Sequence, residues 1–274
     1  MTIKEITNTI QNKLYSSPDE LYAIFHSIKG HFIIPAVTMY AGIPLYRASL
    51  INSIDEVTDS RRLSYKPAHL NKTYGRASIP GNSMFYGITA TNFQNALCSC
   101  LGETCPCLRD PNPIPEHYKV ILSKWNLKKD FVLASIADID GNNKSAELTE
   151  YIQPDEFIAL VSTLPNSQNI IDFWRLMSKE FSKRVVVERD YEISAHFTEL
   201  LLSLNKYDGI IYESVQSTDE KLKESLCVAV PPTIADKYLE FDSADLWEFD
   251  FVNIQTAIVP VKTKSNILPK DNNN

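Results

Sequence analysis

The run Tyr207-Asp208-Gly209-Ile210-Ile211-Tyr212-Glu213-Ser214 sets Ile210, Ile211 and Tyr212 behind an Asp-Gly pair. Its centre, residues 208–212, reads as a buried strand, and Ser214 closes it before the turn that precedes Thr218. A helix leads into it over about residues 191–205, with Ile193, Phe197, Leu200, Leu201 and Leu204 on its inner face. A second buried strand follows at residues 226–230, bounded by Pro231-Pro232, and residues 246–259 supply one or two more.

The same alternation continues upstream. Helices are expected at about 154–164 and 168–183, the second marked by Ile171, Trp174, Met177 and Phe181. Residues 117–123 and 130–137 read as two strands joined around Asn126, and Asp140-Gly141-Asn142-Asn143 as a turn. Residues 106–115 form a proline-rich connection. A strand is expected at 43–50 and another at 83–88, after a Pro80-Gly81 turn. Asn92 can cap a helix running to about Gly102. Between 51 and 75 lies a polar loop with Asp59, Arg61, Arg62 and Pro67, and a loop of that length is more often functional than filler.

The N-terminus reads as two amphipathic helices. Ile3, Ile6, Ile10 and Leu14 recur at helical spacing in the first. Ser16-Ser17-Pro18-Asp19-Glu20 starts the second, with Leu21, Ile24, Phe25 and Ile28 inward and Gly30 ending it. The tail from Lys262 is polar and is expected to be disordered. Alternating short strands and helices, with no repeat or linker, predict an α/β or α+β single domain. The expected division is a helical extension at 1–40, a main domain at 41–261 and a tail at 262–274.

Composition narrows the function classes. The chain has 274 residues, 44% hydrophobic, enough for one substantial core. Its charge, 27 basic against 34 acidic residues, is −7 without a polybasic run, which argues against nucleic acid as a partner. No apolar run reaches membrane-spanning length and no signal-peptide core stands at the start, so a soluble cytoplasmic protein is expected, without membrane contact. A toxin delivered by a dedicated secretion machine would look the same.

Cys98, Cys100, Cys105 and Cys107 form C-x-C-x4-C-x-C, and Cys227 stands apart. The pairs are tighter than structural zinc sites use, and residues two apart on a helix diverge. Buried thiols are the reading, with no metal expected. The five histidines, His26, His31, His69, His117 and His196, show no metal-binding spacing. There is no phosphate-cradling glycine loop and no nucleophile elbow.

Three segments carry the remaining chemistry. They are Leu45-Tyr46-Arg47-Ala48-Ser49; Tyr74-Gly75-Arg76-Ala77-Ser78-Ile79-Pro80-Gly81-Asn82-Ser83-Met84-Phe85-Tyr86-Gly87, followed by Leu101-Gly102-Glu103-Thr104; and the strand ending at Ser214. Together they place an arginine, a glutamate and a serine, each at the end of an apolar element. This order resembles the RES-domain family, named for its Arg, Glu and Ser, over about residues 43–260. The resemblance implies an α+β fold like the ADP-ribosyltransferases, with two packed mixed sheets, a cleft for NAD between them, surrounding helices and an N-terminal helical extension. It implies Arg47, Glu103 and Ser214 as catalytic, and Tyr46, Arg76, Tyr86 and Tyr212 as NAD-binding. Arg76 would be a second phosphate partner and Tyr86 would line the nicotinamide pocket. Glu103 resembles the glutamate of the longer members; in compact members it follows the strand tyrosine at a shorter interval, nearer Ser99.

The residue types suit NAD cleavage. The nicotinamide leaves neutral, so a general acid is less needed than in ordinary glycoside hydrolysis. Arginine pairs with phosphate oxygens through its planar fork. A carboxylate can hold a ribose hydroxyl and oppose an oxocarbenium-like charge. The family includes NAD-depleting toxins, glycohydrolases and phosphorylases, and members that modify proteins, many paired with a helix-turn-helix antitoxin. A protein ADP-ribosyltransferase and a non-catalytic ligand-binding domain remain the alternatives. Homo-oligomerisation and the role of the N-terminal helices stay open.

Overall fold

The computed structural model describes residues 1–28, 33–90, 93–105, 116–136, 139–140, 154–183, 188–214, 225–251 and 261–268. Its strands are β1 (Ala36–Met39), β2 (Pro44–Ile51), β3 (Phe85–Thr89), β4 (Glu116–Leu127), β5 (Phe131–Ile136), β6 (Gly209–Glu213), β7 (Leu226–Val230), β8 (Leu239–Phe251) and β9 (Val261–Lys264). The helices are α1 (Ile3–Gln11), α2 (Pro18–Ser27), α3 (Phe93–Thr104), α4 (Pro154–Ser162), α5 (Ser167–Phe181), α6 (Glu192–Ser203) and α7 (Pro232–Tyr238). Among the described residues the strands form one mixed sheet in the order β1-β5-β6-β7-β3-β2-β4-β8-β9. Only β5 and β6 pair in parallel; the other ladders are antiparallel. The protein is thus an α+β fold, and none of these helices is long and apolar enough to cross a membrane.

The sheet cannot be flat. β1 stands first in the order and β2 sixth, while β4 stands seventh and β5 second. Strands five places apart in a flat sheet lie about 24 Å from one another. Yet residues 40–43 join β1 to β2 and residues 128–130 join β4 to β5, and such links reach only about 14–18 Å. The two halves must therefore curl toward each other. The Gly42 N–H bonds the Leu127 carbonyl at 2.9 Å, the Lys128 N–H bonds the Tyr238 carbonyl at 2.8 Å, and Phe131 meets Tyr238 edge-on at 6.4 Å. The two packed sheets implied by the resemblance are here one hydrogen-bonded series.

Strand alternation separates two cores. On the inside of the curl lie Leu45, Phe85, Ile121, Trp125, Leu133, Ile211, Val228 and Phe241, closed by Ala235 of α7. On the other face Ala48, Ile88, Leu122, Ile210 and Ala229 meet the helices. Gly209 leaves no room for a side chain, because a Cβ there would stand 2.4 Å from the Ala229 carbonyl oxygen.

The ends of the chain differ from expectation. Thr2 caps α1 reciprocally with Glu5, and Ser17 caps α2 ahead of Pro18. Ile6, Ile10, Leu21 and Phe25 share one core cluster with the sheet and with α5 and α6. The first helices are therefore integral to the core, and a boundary at 40 would detach β1, the edge strand. The tail expected to be disordered from 262 instead begins as β9 against β8, and Leu268 is buried in the inner core. Helix α7 was unforeseen, and β4 runs through the expected joint at Asn126 to Leu127, so that residues 128–130 link it to β5; the two pair with other strands. Gly30, Asn92, residues 106–115 with Cys107, and residues 141–143 lie outside the described residues.

Candidate functional site

A gap in the sheet makes the site. β2 pairs with β4 along its whole length, and β3 with β7 likewise, but β2 and β3 share only the Tyr46–Ile88 pair. Beyond that pair the strands part, and a cavity of about 490 Å³ opens beside them. That volume suits a small organic ligand. Tyr46, Arg47 and Ala48 line it from β2; Tyr86, Gly87 and Ile88 from β3; Cys100, Glu103 and Thr104 from α3. Arg76, Tyr191, Tyr212 and Cys227 complete the depth, and Lys66, Asn71, Thr73 and Tyr74 of the long loop form a rim.

Arg47 is half-buried across the gap. Its Nη1 donates to the Tyr86 carbonyl at 2.9 Å, and its guanidinium lies 5.7 Å from the Phe85 ring centre. Its Nε is sealed from solvent without a partner, and Nη2 makes no hydrogen bond among the described residues. Burial pulls its pKa below the ordinary arginine value, while Tyr86 and Cys100 oppose the shift. A desolvated cation with spare donors is suited to an anionic ligand oxygen.

Glu103 sits in the last turn of α3, which carries no basic residue. A carboxylate there opposes the helix dipole, so its place is not explained by helix stability. The Ser214 hydroxyl donates to Glu103 Oε1 at 2.8 Å, and the Cys227 thiol reaches the same oxygen at 3.8 Å. Oε2 takes no hydrogen bond among the described residues. Ser214 is buried at the end of β6 and does not itself wall the cavity.

Tyr86, Tyr212, Cys100 and Cys227 have raised pKa values. Burial pushes Tyr212 and Cys227 well up, and neighbouring acidic groups add to both shifts. Burial also raises Cys100. Tyr86 rises by burial against its hydrogen bonds to Ser78 and to the Ala77 N–H. The turn 75–78 brings the chain onto that phenol: a Cβ at Gly75 would lie 2.8 Å from the Tyr86 oxygen. Gly81, at φ +83°, makes the expected Pro80-Gly81 turn, and its N–H bonds the Asn71 carbonyl at 2.8 Å, tying the long loop to the site.

Of the residues the sequence singled out, Tyr46, Arg47, Arg76, Tyr86, Glu103 and Tyr212 line one cavity, and Ser214 joins it through Glu103. Arg76 lines the cavity with donors already engaged by backbone. It is 5% exposed and donates to the carbonyls of Phe181 and Lys183 beyond α5. Tyr191, Lys66, Asn71 and Thr73 escaped sequence reasoning as site residues. The length and polarity of the 51–75 loop were the available signal for the last three. Cys98 is half-exposed on α3, Cys100 and Cys105 are buried, and no cluster of three metal-ligating side chains occurs among the described residues. Comparison with family models, with curated proteins and with solved structures found no match.

Proposed function

We propose that this chain binds NAD in the cavity between β2 and β3 and cleaves the bond from nicotinamide to ribose. The observation that carries the reading is the meeting of Arg47 and the Glu103–Ser214 pair, from segments far apart in sequence, at one cavity. Arg47 would take a pyrophosphate oxygen on its free Nη2. Glu103 would hold a ribose hydroxyl on Oε2 and oppose the positive charge that grows as nicotinamide leaves. Ser214 would fix the carboxylate by occupying Oε1. Lys66, exposed at the rim, adds positive charge where the phosphates would enter. On this reading the curled sheet is an ADP-ribosyltransferase-like scaffold, and the protein acts as an NAD-depleting toxin or defence effector restrained by a cognate antitoxin.

The test is incubation of the purified protein with NAD, with and without phosphate, resolving nicotinamide, ADP-ribose and phosphorylated ADP-ribose. Release of nicotinamide is expected, and the companion product names the acceptor. Intact NAD in both buffers, with no label from NAD transferred to added protein, would overturn the reading.

A further inference from the structure

Arg76 and Tyr191 form a pair whose geometry has a chemical consequence. Arg76 Nη2 lies 3.3 Å from the Tyr191 hydroxyl, and its guanidinium carbon stands 4.9 Å from the Tyr191 ring centre and 5.8 Å from that of Tyr212. A guanidinium has only donors, so the phenol oxygen is the acceptor in this contact. The phenol hydrogen is left for a second partner, and none stands in reach among the described residues. Tyr191 is half-buried and lines the cavity. A hydroxyl that accepts from a cation is a stronger donor in turn.

We propose that Tyr191, polarised by Arg76, is a substrate-binding residue that donates its hydrogen bond to the carbonyl oxygen on the planar leaving base. The surroundings favour a ring over a phosphate. Tyr86, Tyr191 and Tyr212 offer aromatic walls, and the nearest cation, Arg76, already serves the carbonyls of Phe181 and Lys183. Arg76 is then a positioning residue, holding Tyr191 and joining the 75–78 turn to the end of α5.

This inference rests on the NAD reading, and the experiment separates the two. kcat and KM are measured for the parent and Tyr191→Phe, on NAD and on the pyridine dinucleotide that lacks the carboxamide. Loss of the hydroxyl is expected to lower kcat/KM about tenfold on NAD, as for one neutral hydrogen bond, and to leave the analogue unchanged. Taking the ratio of variant to parent on each substrate cancels their different leaving-group reactivity. The melting temperature should hold, because Arg76 keeps both backbone acceptors. Equal loss on both substrates, or loss on neither, overturns the role of Tyr191 while leaving NAD cleavage standing. A parent that neither binds nor cleaves NAD overturns both.

Discussion

Both donors that reach Glu103, the Ser214 hydroxyl and the Cys227 thiol, meet the same carboxylate oxygen. That asymmetry separates the roles of three neighbouring side chains. Cys227, held neutral by burial and by the adjacent carboxylate, is a packing group and no nucleophile. On the proposed reading Ser214 would orient Glu103, and Glu103 would face the ligand with its other oxygen. Ser214→Ala is therefore expected to slow NAD cleavage by roughly tenfold, and Glu103→Gln by about 10²–10³ or more. Single-turnover rates decide the ranking, and a larger loss for Ser214→Ala would mean that serine, not glutamate, carries the chemistry. Arg47, Glu103 and Ser214 were legible as candidates through the resemblance, although Arg47 lies in the middle of β2 and does not end it. Tyr191 was not legible: the role proposed for it comes from Arg76, 115 positions away, and no local pattern encodes that contact.

At the scale of elements, α6 meets α2 and the long loop around His196. This imidazole is 5% exposed, both nitrogens lack hydrogen bonds, and its ring lies 6.4 Å from Tyr22 and 5.9 Å from Tyr74. Burial lowers its pKa, against the pull of Glu192 on its own helix and Asp19 on α2. The unfolded chain takes up this proton near pH 6.5, before the folded one does. The stability it contributes is thus present above about pH 6.5 and lost as pH falls from there through the lowered folded value. His196→Leu should shift stability in the variant's favour, relative to the parent, as pH falls from about 6.5 toward 5. Parallel denaturation curves across that range would contradict the assignment. The helices themselves were readable from their apolar spacing, as in α5 and α6. Helix α7 was missed because Pro231-Pro232 was read as the end of a strand, whereas Pro232 occupies the first turn of a helix. The partners of β4 and β5 were missed because pairing across a sheet leaves no mark in the sequence of either strand.

For the molecule as a whole, the packing of the first two helices into one core with the sheet predicts a single cooperative unit. Phe25, fully buried, meets Phe197 of α6 at 5.6 Å with the rings tilted. Phe25→Ala should lower the stability of the whole chain by about 3–5 kcal/mol in one denaturation transition. A separate early transition, with the main one unmoved, would restore the picture of an appended helical extension. A mixed α and β chain was legible from alternating periodicities; the choice of α+β over α/β came from the resemblance. The cavity was not, because it exists only where β2 and β3 part after one residue pair. If this parting forms an NAD-cleaving site around Glu103, nicotinamide release from NAD by the parent and by Glu103→Gln, compared at matched melting temperature, reads it out. Release by the parent and a loss of about 10²–10³ or more in the variant is the predicted result. Equal release by both proteins, or none by the parent, would contradict it.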